Sequence, residues 1–173
     1  MDDFKTTLST HSTFYEKLIE HLFISEVLQE MQFGFGQWPE VLKAEIDASG
    51  YDIVIECNNI IRHIQLKTSI TGALKASVNL NTALSQKPNG CAIWIEWQIN
   101  EQKRVEMQYL FFGNRPGQPL PDILAHKIGK HSKANALGEK CERPLTRVVK
   151  KTEFTRMSSI TELVHCLFFN ENE

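Results

Sequence analysis

The stretch YDIVIECNNIIRHIQLKTS, residues 51–69, decides the fold. Two runs rich in β-branched residues, YDIVIEC and IIRHIQLKT, flank Asn58-Asn59, and asparagine tolerates the positive φ that a tight hairpin turn demands. A turn there pairs Cys57 with Ile60, and counting back brings Asp52 opposite Gln65 at the open end of the hairpin. Their side chains share a face, with Cβ atoms about 4.5–5.5 Å apart. Lys67 points the same way one diagonal step on. Ile53, Ile55, Ile64 and Leu66 take the opposite face. The expectation is a hairpin with one apolar face and an open end that gathers a carboxylate, an amide and an ammonium.

Upstream, STFYEKLIEHLFISEVLQEM (12–31) has helical periodicity that places Phe23, Ile24, Val27 and Met31 on one face. Glu16 and Glu20 fall on that face too, an unusual place for carboxylates without a partner. A first strand is expected at 41–46 and a turn at DASG, with Asp47 as its cap. Downstream, the reading gives a helix over 69–86, a buried strand at 91–99, a strand at 105–113 and a short helix near 122–128. A strand at 146–150 and a helix at 158–169 follow, the latter with Ser159 and Glu162 in capping-box spacing. The order αβββαββ…βα implies one mixed α/β domain over 1–173, with a core at 11–97 and a C-terminal extension over 98–173.

Composition narrows the class. Of 173 residues, 42% are hydrophobic and 23% charged, enough to bury a core in a globular protein. No run approaches the ~18 apolar residues of a membrane span, and MDDFKTTLSTHS is too acidic and polar for a secretory leader. Four cysteines without a CxxC pair are expected to be reduced thiols of a cytoplasmic protein. Charge is unevenly spread. Residues 1–56 hold eleven acids and three bases, whereas the segment 127–156 holds nine bases against three acids. That asymmetry points to an anionic partner for the basic segment, or else to a solvated basic loop.

A carboxylate and an amide oxygen are the hard ligands that Mg²⁺ takes together with several waters. The metal acidifies a bound water and offsets charge on phosphorus, and a neighbouring lysine can orient the water or stabilise negative charge. The trio Asp52, Gln65 and Lys67 therefore suits metal-assisted phosphodiester hydrolysis. The plainer reading is a surface Asp–Lys pair bridged by glutamine.

The helix glutamate, D-x-x-G-Y-D at 47–52 and I-Q-L-K at 64–67 together resemble the PD-(D/E)XK nuclease superfamily. The likeness is to its branch with glutamine at the first acidic position of the (D/E)XK element, as in Mrr-like restriction enzymes. It spans about residues 11–97 and implies a restriction endonuclease-like αβββαβ core, with a mixed central sheet flanked by helices and a C-terminal strand and helix. By resemblance, Asp52, Gln65, the Leu66 carbonyl and Glu20 would hold Mg²⁺ or Mn²⁺, with Glu16 as second choice for the helix ligand, and Lys67 would be the catalytic lysine. Tyr51 stands where the name motif has proline, and Gln65 removes a negative charge from the metal site.

The implied activity is a DNA endonuclease of restriction, repair or defence, with a homodimer left open. The alternative is a catalytically weakened nucleic-acid-binding module of the same fold. Lys127, Lys130, Lys133, Lys140, Arg143 and Arg147 would grip backbone phosphates. His63 reads as a polar strand residue, Trp94 and Trp97 as core, and Ser69 and Lys75 as either phosphate contacts or a wet helix start. His126 and His131 lack zinc spacing.

Overall fold

The structure is a computed structural model that describes residues 7, 8, 10–43, 49–131, 138 and 140–170. Helix α1 (Ser12–Gln29) ends in a single π-type turn and leads to strand β1 (Glu40–Lys43). β2 (Ile53–Cys57) and β3 (Ile60–Ile70) form the expected hairpin. Asn58 and Asn59 have φ of 50° and 63°, and the register pairs Cys57 with Ile60 and Ile53 with Ile64. β4 (Ser77–Asn81), β5 (Gly90–Ile99) and β6 (Val105–Phe112) follow. The chain closes with β7 (Lys127–Lys130), β8 (Glu142–Lys150), β9 (Thr155–Met157) and α2 (Ile160–Phe168).

Six strands form a mixed sheet in the order β1-β2-β3-β5-β6-β9, in which β3 and β5 run parallel and all other neighbours antiparallel. A second sheet has the order β4-β8-β7. Strand alternation sorts the core into two layers. Ile53, Ile55, Ile64, Ile93 and Ile95 meet Ile19, Phe23 and Val27 of α1 and Leu163, Val164 and Leu167 of α2. Across the sheet, Ala92, Trp94, Leu110 and Phe112 meet Val78, Leu80 and Val149 of the small sheet. β5 is covered on both faces, which is why its first eight residues are all buried and its sequence reads as one apolar run. The architecture is mixed α/β.

The crossover from β3 to β5 departs from expectation. No helix spans 69–86: β3 runs on to Ile70, Gly72 turns the chain at φ +79°, and Ser77–Asn81 is a strand. SVNLN alternates with period two, burying Val78 and Leu80, and this outweighs the helix propensity of the flanking alanines and leucines. Only a 3₁₀ turn, Thr82–Gln86, follows, capped by the Asn81 side chain. Likewise the segment near 122–128 is a short 3₁₀ turn, Ile123–Ala125, running straight into β7. The strand expected at 146–150 begins earlier, at Glu142, and two further short strands, β7 and β9, flank it in sequence. The closing helix forms as expected, with Ser159 Oγ accepting from Glu162 N at 3.1 Å. Asp47 and the end of the first expected strand lie outside the described residues.

Candidate active site

The open end of the hairpin is a place where the ladder stops and a side chain takes over. The last β2–β3 pair is Ile53 with Ile64. One residue earlier, Asp52 N donates to Ile64 O at 2.9 Å, and Leu66 N donates to Asp52 Oδ2 at 2.6 Å. The carboxylate thus stands in for the next main-chain acceptor, a charge-assisted bond that fixes its direction. Because the N–H and C=O of one strand residue face the same neighbour, the Leu66 carbonyl also faces this edge, past the end of β2. Gly50 makes the approach feasible: it sits at φ +77°, and a Cβ there would come within 2.9 Å of Asn81 Cβ.

Around Asp52 opens a cleft of about 230 Å³ between α1 and the edge of the sheet, lined by Glu16, Lys17, Glu20, Leu66, Lys67 and Lys75 among others. Glu20 comes from the middle of α1, with its side chain 9% exposed, and both oxygens carry an ammonium. Lys17 Nζ lies 2.7 Å from Oε2 and Lys43 Nζ of β1 lies 2.9 Å from Oε1. Burial pushes the Glu20 carboxyl up, but the two lysine hydrogen bonds outweigh it and hold the group below the usual carboxylate range. Glu16, one turn earlier, is exposed at the mouth.

A second cleft, of about 400 Å³, adjoins the first on the side of the small sheet and shares Lys67 and Lys75 with it. Its other lining residues include Ser77, Asn79 and Lys130. Among the described residues the Lys67 ammonium has no hydrogen-bond or ion-pair partner. Lys75 extends its ammonium over the Trp94 ring, 5.8 Å from the centroid, and donates to Thr68 O at 3.3 Å. Burial of that ammonium and the charge of Lys67 both lower its pKa. A cleft that holds three carboxylates and a cleft lined by lysines therefore meet along β3, with two lysines at the boundary.

Of the residues expected at the site, the fold brings Asp52, Glu20, Glu16, Leu66 and Lys67 to one cleft. Gln65 is not among those that line it. Its side chain is buried toward the small sheet, where Oε1 accepts from Asn81 N at 3.0 Å. The hairpin register is as expected, but β4 covers position 65. Of the described members of the basic set, Lys130 alone lines the shared cleft. Lys127, Lys140 and Arg143 are exposed elsewhere, and Arg147 turns back to Pro144 O at 2.7 Å. Lys133 lies outside the described residues.

Other residues resolve into structure. Trp94 and Trp97 are core, and Ser69 Oγ accepts from Trp94 Nε1 at 2.7 Å. His63 Nδ1 lies 2.9 Å from Pro88 O, and His126 packs edge-on against Phe112. Burial pushes the Cys91 thiol up to about 12, which makes it no nucleophile. Sequence reasoning passed over Lys17 and Lys43, although the i,i+3 spacing of Lys17 and Glu20 was a visible signal.

The donors fit a hard dication in kind: three carboxylates on one cleft beside a strand-end carbonyl. Among the described residues, however, no three metal-ligating side chains stand close enough to form a ready cluster. A cation there would have to draw the carboxylates together. No protein-family model, no curated protein and no solved structure matches this chain. No described helix is long and apolar enough to cross a membrane.

Proposed function

We propose that the chain is a metal-dependent nuclease that hydrolyses phosphodiester bonds of DNA. One observation carries the reading: a cleft that gathers the carboxylates of Asp52, Glu20 and Glu16 adjoins a lysine-lined cleft, and Lys67 belongs to both. Phosphodiester hydrolysis needs that juxtaposition, a cation site next to a place for the phosphate's negative charge. Asp52 and Glu20 would hold Mg²⁺ or Mn²⁺, with Glu16 at the mouth and the Leu66 carbonyl at the strand edge. When bound, the metal supplies Lewis acidity and an acidified water. The mixed sheet with antiparallel β1-β2-β3 followed by parallel β3-β5 is compatible with a restriction endonuclease-like core, although its crossover carries a strand and no α-helix.

The chain's own groups have separable tasks. Asp52 is aimed by its bond from Leu66 N, so its orientation is set before any ligand arrives. Lys67, without a partner among the described residues and at the boundary, stabilises the charge that develops on the phosphate oxygens. Lys75 and Lys130 hold neighbouring phosphates of the same strand. Gln65 acts at one remove: by accepting from Asn81 N it ties β4 beside the site. Asp52→Ala and Lys67→Ala are each expected to lower plasmid nicking in Mg²⁺ by a factor of about 100 or more, with melting temperatures close to wild type. Full activity in either variant contradicts the assignment.

The inward turn of Gln65 and the lysine-paired Glu20 favour a second reading, a nucleic-acid-binding module with a weakened metal site. Retained DNA binding without cleavage in either Mg²⁺ or Mn²⁺ would select it.

A further inference from the structure

Glu20 presents a chemical puzzle. A carboxylate whose side chain is 9% exposed sits beside an apolar helical stripe, and two lysines from two elements each hold one of its oxygens. Their ammonium ends remain near water: Lys17 and Lys43 are 62% and 44% exposed. Lys43 is further braced by His21, whose Nε2 lies 3.2 Å from Nζ, while His21 Nδ1 is 2.6 Å from the Lys17 carbonyl. The arrangement links α1 to the edge strand β1 through one buried anion.

The energetics are lopsided. Taking the carboxylate out of water is costly unless a cation meets it. Ion pairs with largely exposed lysines are individually weak, because solvent screens them and long side chains lose freedom. So the lysines suffice to keep Glu20 ionised and pointed into the cleft, but they hold it loosely. Lys17 also lines the cleft, and so places a positive charge where a dication would have to enter.

We propose that Lys17 and Lys43 are exchangeable counter-cations of the cleft: they occupy Glu20 in the metal-free protein and yield it to a divalent cation. The inference rests on the reading of this cleft as a metal site. Metal binding is then an exchange in which up to two ion pairs are given up, and the lysines set the metal concentration at which the site fills. Lys43, once released from Glu20, becomes an additional cation for a polynucleotide phosphate.

The test is calorimetric titration of the full chain with Mn²⁺ at pH 7.5, together with the melting temperature of each metal-free form. Lys43→Met and Lys17→Met should each tighten Mn²⁺ binding by roughly three- to tenfold, the double variant should bind tighter still, and both single variants should melt slightly lower without metal. Lys103→Met, which removes a charge from an exposed loop, should leave Mn²⁺ affinity unchanged and so controls for net charge. In the Glu20→Gln background the gain from Lys43→Met should disappear. If wild type binds Mn²⁺ through Asp52 but both lysine variants bind equally or more weakly, the exchange is refuted and the pairs are merely ties between α1 and β1. If wild type binds no Mn²⁺, or Asp52→Ala binds as well as wild type, the metal reading itself fails and the exchange with it. Because the two substitutions lie on exposed positions of different elements, a folding defect in one leaves the other to decide.

Discussion

Arg62 and Lys67 are cations on the same strand, five positions apart, and the fold treats them in opposite ways. Arg62 is fully buried on the helix side of β3. Its guanidinium donates to Leu167 O at 2.6 Å, Asn114 O at 2.9 Å, Cys166 O at 3.0 Å and Asn89 O at 3.4 Å. Two of those acceptors end α2, so one side chain satisfies helix-terminal carbonyls and locks α2 to the sheet. Lys67 lies on the other face, without a partner among the described residues, between two clefts. Four main-chain acceptors make Arg62 a structural rivet; an ammonium with no partner among the described residues makes Lys67 available to a ligand. The contrast separates charge used for folding from charge kept for chemistry.

Exchanging each cation for methionine is the strongest way to break that comparison. Arg62→Met leaves several buried carbonyls without a donor and is expected to cost roughly 3–5 kcal/mol, a drop of about 10 °C in melting temperature. Lys67→Met should change stability by less than about 1 kcal/mol while removing cleavage. Denaturant unfolding of the two variants decides the matter, and similar losses in both would erase the distinction.

A smaller effect concerns reach. Lys130→Glu should weaken DNA binding and reduce the log–log salt slope by about 0.9 if its ammonium holds one phosphate of a duplex. Fluorescence anisotropy at several salt concentrations measures this. An unchanged slope would confine the phosphate path to Lys67 and Lys75.

The smallest expected effect is on acid stability. The folded Glu20 carboxyl lies below its unfolded value. Its contribution is therefore fully present above about pH 4.3, the ordinary glutamate value, and is lost as pH falls through the lower folded pKa. Glu20→Gln should flatten the metal-free stability curve in that acidic window and leave its shape near neutrality unaltered. Chemical denaturation from pH 6 down to pH 3 would show it.

Much of this was legible in the chain. The Asn58-Asn59 turn and β-branched flanks fixed the hairpin register, and with it Asp52 at the open end. Periodicity put Glu16 and Glu20 together on the apolar face of α1, and the resemblance singled out Glu20 between them. What escaped depended on tertiary covering. Gln65 and Lys67 share a face of β3, yet β4 buries one and leaves the other at the cleft, and nothing local to residues 64–67 encodes that difference. The β4 strand was itself misread, since Val78 and Leu80 alternate over only five residues within a segment of good helix formers. Arg62 was readable in retrospect: it interrupts Ile60, Ile64 and Leu66 on the apolar face, and its acceptors come from sequence positions far downstream.

A crystal structure grown with Mn²⁺ would locate the metal, if it binds, through its anomalous signal. A Mn²⁺ peak is expected bonded to a carboxylate oxygen of Asp52 and one of Glu20, with Lys43 displaced from Glu20, and no such peak in Asp52→Asn. A fully ordered cleft with no anomalous peak at saturating Mn²⁺, or metal bound only at a site away from Asp52, would contradict the metal reading.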